Sequence, residues 1–135
     1  MTELHELSAL EQGAAIRARE VSAVELTEHY LGRIERLADQ LGAFMTVTAD
    51  LARTQAETLE EDARRGEWRS PVHGVPVPVK DLNLTAGVRT TFGSRVFAEY
   101  VAEVAARNAN AARRLVEDAV APLGAISDFQ ATEIR

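Results

Sequence analysis

An α/β fold, with several helices packed on a small mixed sheet, is what this sequence predicts, and three observations carry that expectation. Two Ser-x-x-Glu starts, Ser8 to Glu11 and Ser22 to Glu25, open stretches with helical character. Ala43-Phe-Met-Thr-Val-Thr48 is short and β-prone. Val75 to Val79 alternates valine with proline and delivers Lys80 out of an apolar run.

In each Ser-x-x-Glu pattern the serine and the glutamate can satisfy each other's free backbone amides, which marks a helix N-terminus. The first predicts a short helix to about Arg19. The second is flanked by Val21 and Leu26 at staple positions. Beyond it Val24, Tyr30, Leu31, Ile34, Leu37, Ala38 and Leu41 recur at helical spacing, and Gly42 is a natural stop. A strand over Ala43–Thr48 follows. Asp50 is placed to cap a third helix, with Ala52, Ala56, Leu59 and Ala63 on its apolar face and Arg64-Arg65-Gly66 at its end. Trp68 and Ser70-Pro71 begin a loop in which Trp68 is expected to pack where the chain crosses the helices.

Proline cannot donate to a ladder, so Pro76 and Pro78 predict an extended segment at a sheet edge or a strand entry, rather than a fully paired central strand. Thr85–Val88 and Thr90–Ser94 read as loops. A last helix is expected from about Glu103 to Asp118, with a weak stripe of Ala105, Ala112, Leu115, Val116 and Ala119, before Pro122-Leu-Gly124 breaks the pattern.

The composition excludes several classes. The 135 residues suffice for one domain, taken here as 1–135, and the apolar 46% includes much alanine, so the core is expected to be thin in large side chains. A net charge of −6 argues against general nucleic-acid binding. There is no cysteine, so thiolate sites and disulfides are out. His5, His29 and His73 lack ligand spacing, so no metal and no cofactor is expected. No segment is long enough to span a membrane, and the acidic start Met-Thr-Glu-Leu-His-Glu-Leu does not read as a signal peptide. A cytoplasmic protein is the default expectation.

Lys80 is the candidate functional residue. On residue chemistry alone, a lysine at a strand end followed by aspartate is a solvated charge. His73 reads as a turn residue and Asp81 as structural, pairing with a cation or capping a turn. The wider segment changes the reading of the lysine. Pro71-Val-His-Gly-Val-Pro-Val-Pro-Val-Lys-Asp, followed by a glycine turn and Thr90-Thr-Phe-Gly-Ser94, resembles the amidase signature family. Arg17–Leu26 resembles that family's opening helix pair, and Ala43–Val47 its first strand. The likeness is strong to about Tyr100 and then decays: Arg113–Gly124 is recognisable but shifted, and Ala125-Ile-Ser127 stands where Lys-Thr-Asn is expected.

The resemblance implies the N-terminal part of the amidase-signature fold and hydrolysis of a carboxylic amide C–N bond by a Ser–Ser–Lys triad. A serine hydroxyl needs an adjacent base, a neutral lysine can serve as one, and backbone amides stabilise the oxyanion. Lys80 is the one position the resemblance carries over as catalytic. Ser70, Ser94 and Ser127 are the nearest serines, and none lies in a glycine-rich nucleophile loop. Ser94 matches a structural Gly-Ser of the family. The expectation is an amide hydrolase cut short of its serines and inactive alone, with a small-molecule amide as substrate when complete. The alternatives are a non-catalytic module that self-associates or pairs with a separate remainder, and a small enzyme using Lys80 as a Schiff-base nucleophile.

Overall fold

The computed structural model describes residues 3–103 and 122–126 of the chain. The helix expected to run to Asp118, together with Arg113-Arg114 and Ser127, falls outside the described residues. Within them the elements are helix α1 (Ala9–Arg17), helix α2 (Ala23–Leu41), strand β1 (Phe44–Val47), helix α3 (Ala49–Arg64), strand β2 (Val77–Lys80) and strand β3 (Pro122–Ile126). Short 3-10 turns lie at Leu4–Glu6 and Arg95–Phe97.

Both predicted capping boxes form. Ser8 and Ser22 accept the Glu11 and Glu25 amides at 3.3 and 3.0 Å, and the two glutamates reach back to the serine amides. Those bonds hold both carboxyls below the usual carboxylate range, with the Ser8 hydroxyl the larger cause at Glu11 and the Ser22 amide at Glu25. Val21 and Leu26 are buried in one cluster with Ile16 and Val75, as the staple requires.

Three boundaries differ from expectation. α1 ends at Arg17 rather than Arg19, because Arg19 adopts a left-handed φ of 62°. The buried face of α2 runs through Ala23, Leu26, Thr27 and Leu31, while Leu41 is exposed. The helix extends past the layer it packs on, so its last apolar residues meet water. α3 starts from Thr48, whose side chain makes no cap bond, and Asp50 lies in the first turn instead of capping. Asp62, not Ala63, completes its buried face with Ala52, Ala56 and Leu59. The carboxylate is tolerated there because Arg65 approaches it at 2.5 Å and Arg69 also pairs with it.

The sheet has the order β1-β3-β2, with β3 antiparallel to β1 and parallel to β2. It is therefore mixed, and β2 lies on an edge, as its prolines demand. The segment read as a pattern break at Pro122–Gly124 instead begins β3. A break in helical periodicity and the start of a strand look alike when a proline marks both.

α2 and α3 pack on each other through small residues. Ala23, Ala52 and Ala56 form one buried cluster, with Val24 against it. The alanine-rich core anticipated from composition thus serves as a close helix–helix contact, while the larger side chains gather around Ile16, Val21, Leu26 and Val75.

Candidate functional site

The approach to β2 is fixed at His73. Its ring is 1% exposed. Nε2 meets the Leu59 carbonyl of α3 at 2.7 Å, and Nδ1 accepts the Arg69 amide at 3.3 Å. A carbonyl on one nitrogen and an N–H on the other select the Nε2–H tautomer. The Trp68 ring stands edge-on to it at 5.3 Å, and the Arg17 guanidinium lies 4.5 Å from the Trp68 centroid. His73 is thus a turn residue, as expected, and also a buried tie between the loop and α3. Trp68 packs against the Ile16 cluster, also as expected.

From this tie the chain runs inward through buried Val75 and Pro76 into β2. Pro78 is exposed and Val79 is buried. Successive strand side chains point to opposite faces, so Lys80 shares the face of Pro78. Its register partner on β3 is Ile126, and two residues back along β3 Gly124 pairs with Val47 of β1. Half-buried Lys80 and exposed Val47 therefore belong to the same open face of the sheet.

Asp81 turns the other way. It is 3% exposed and receives the Thr91 amide at 2.7 Å, with the Thr91 hydroxyl donating to its second oxygen. It is structural, as expected, but its partner is a threonine ten residues on rather than a cation. The Asn83 amide closes a turn onto the Lys80 carbonyl at 2.9 Å.

The two described candidate serines hold local turns. Ser70 Oγ accepts the Val72 amide at 3.2 Å, and Ser94 Oγ accepts the Val96 amide at 3.3 Å. The site that forms is thus a lysine framed by Val79 and Asp81, with Thr91 behind it. Chemically, such a frame can present an amine on an exposed face.

Sequence reasoning missed two residues here. Thr91 sits in a Thr-Thr pair that reads only as loop. Arg89 joins three segments: its guanidinium donates to Ala98 O at 2.8 Å, Met45 O at 2.5 Å and Thr46 Oγ1 at 3.3 Å. An isolated bridge between Arg89 and Val101 closes the same loop. No periodicity links such distant partners, so only the coordinates reveal them. Among the described residues, no group of three or more His, Asp or Glu is arranged to hold a metal ion. Nor is any described helix long and apolar enough to cross a membrane.

Comparison with known proteins bears on this arrangement. The family described as "Amidase" matches residues 25–126. The chain is 48% identical over 99 residues to the A subunit of glutamyl-tRNA(Gln) amidotransferase from Anaeromyxobacter dehalogenans, covering 73% of this chain and 20% of that protein. The corresponding protein of Thioalkalivibrio sulfidiphilus is 46% identical over the same shares. The chain spans about a fifth of the length of the curated relatives it matches. Among solved structures, native peptide amidase from Stenotrophomonas maltophilia superposes with a TM-score of 0.80 at 28% identity, over 90% of this chain and 24% of that one. A bacterial aryl acylamidase of the amidase signature family gives 0.79 at 25% identity, over 89% and 25%.

Proposed function

This chain belongs to the amidase family, and we propose that it carries the general base of a carboxylic amide hydrolase at Lys80, as one part of a larger amidase domain. The observation that carries the reading is the frame of β2. Lys80 leaves an apolar strand half-buried between two buried neighbours, on the same sheet face as Pro78 and Val47. In Ser–Ser–Lys chemistry the neutral amine accepts a proton through a relay serine, so that a second serine attacks the amide carbonyl. The peptide amidase and acylamidase likenesses support that reaction class. A small-molecule amide as substrate and a cytoplasmic location belong to the same reading.

These 135 residues hold the lysine and no glycine- and serine-rich nucleophile loop. The purified chain is expected to hydrolyse no carboxamide above the buffer rate. Turnover by the chain, lost on Lys80→Ala, would overturn that expectation. The base itself is tested by complementation. The chain is mixed with an amidase-family protein from which the matching first portion has been removed. Hydrolysis should return with the wild-type chain and not with Lys80→Ala, and equal recovery with both would sink the role of Lys80.

A second reading is a non-catalytic module that self-associates or pairs with a separate remainder. Met45 and Val47 on β1, and Val96, Phe97, Tyr100 and Val101 in the loop beyond, are exposed apolar side chains that favour it.

A further inference from the structure

We propose that Asp81 is a positioning residue for Lys80, acting through Thr91; this rests on the reading of Lys80 as a base. Burying a carboxylate is costly unless its oxygens are well supplied with donors. At Asp81 that supply is one residue: Thr91 donates its amide to Oδ1 and its hydroxyl to Oδ2. Both are charge-assisted bonds, the stronger kind.

The hydroxyl is held from its other side as well. The Gly93 amide donates to Thr91 Oγ1 at 3.2 Å, which leaves the single hydroxyl hydrogen for Asp81. The Ser94 amide then donates to Thr91 O at 2.9 Å, and the Thr90 amide to Tyr100 O at 3.0 Å. One continuous run of bonds thus extends from the residue after Lys80 to the loop that holds Ser94.

The Lys80 backbone is consequently fixed on both sides. Before it, Val79 is buried and its backbone is in register with Ala125 of β3. After it, Asp81 is anchored, and the Lys80 carbonyl is closed into a turn by Asn83. The amine can then be displaced only through its own side-chain torsions. Placement of this kind matters for a base, because a shift of about 1 Å in a catalytic group is worth on the order of 100-fold in rate.

The chain contains a single lysine, so amine chemistry reads this residue directly, with the terminal α-amine as an internal reference. The experiment is trinitrophenylation of the intact 135-residue chain across the alkaline pH range, quantified by mass spectrometry as the ratio of Lys80 to α-amine labelling. Thr91→Val removes the hydroxyl at nearly constant shape, and Thr91→Ser keeps it. Thr91→Val is expected to change the ratio by about threefold or more, while Thr91→Ser follows the wild type.

A ratio in folded Thr91→Val that superimposes on the wild type at every pH would overturn the proposal and leave Asp81 a purely stabilising residue. Amide exchange of the wild-type chain tests the anchor without any variant. The Thr91 and Gly93 amides should exchange well after those of residues 95–99, and equally rapid exchange would also overturn it. Neither readout needs turnover. Equal complementation by the wild type and Lys80→Ala with an altered labelling ratio would therefore reject the base and keep the anchor, whereas complementation that depends on Lys80 with an unaltered ratio would reject the anchor alone.

Discussion

Gly13 lies where α1 crosses the loop before β2, with no room for a side chain. A Cβ built there would fall 2.1 Å from the Pro71 carbonyl oxygen and 3.1 Å from Val72 Cα. Both obstacles are backbone, so neither swings aside. Gly74 is confined in the same region: its φ is +82°, and a Cβ would meet Ala23 Cβ at 2.9 Å. Gly13→Ala is therefore expected to destabilise the chain by about 1–3 kcal/mol through overpacking, measured by urea unfolding. An unfolding midpoint equal to the wild type would show that α1 and the loop separate freely. The same region sets the limit of what was legible at this scale. Lys80 stood out because a charge ends an apolar run, and His73 because it precedes a glycine turn. Thr91 carried no such mark, since its role depends on a carboxylate ten positions away.

At the scale of elements, the N-terminal 3-10 turn is fastened to α2 by a pair of histidines. The Arg33 guanidinium donates to His5 Nε2 at 2.9 Å, so His5 carries its hydrogen on Nδ1 and offers it to His29 Nε2 at 3.1 Å. The two rings stack at 5.2 Å, and Tyr30 meets His29 edge-on. Burial is the first cause that holds the His29 imidazole below its ordinary value of 6.5; repulsion from His5, once acid protonates it, and from Arg33 and Arg36 adds to burial, and Glu3 opposes them. An unfolded chain takes up this proton as pH falls through 6.5, and the folded chain does so only at lower pH. The stabilisation is complete above 6.5 and is lost as the pH drops below it. His29→Gln should flatten this acid limb in thermal unfolding followed against pH. A limb unchanged in His29→Gln would place the titration elsewhere. The starts of α1 and α2 were readable because side chains cap them. The start of α3 was not, because the Thr48 side chain makes no cap bond to mark it.

At the scale of the molecule, the α/β class and the edge position of β2 were legible locally, the latter from its prolines, while the mixed character of the sheet came only with the family resemblance. The pairing order was not legible, because periodicity says nothing about which strand lies between which. The open sheet face makes a further expectation. Exposed Met45 and Val47 share this molecule with an exposed run around Val96 to Val101. Concentration-dependent association is expected in size-exclusion chromatography, weakened by Val47→Glu. A clean monomer at high concentration would count against the self-associating module.

β3 is the central strand, yet it comes last among the described strands: Pro122 lies 75 positions beyond Val47, where β1 closes, and 42 beyond Lys80, where β2 closes. β1 and β2 each pair with it and not with each other. As the chain emerges during synthesis, the lysine strand must therefore wait, unladdered, until Pro122–Ile126 arrives to join both neighbours in one step. Sheet closure is then a late, long-range event of the kind that slows folding. Pro78, which has no amide hydrogen to offer, blunts the edge of the waiting lysine strand in that interval.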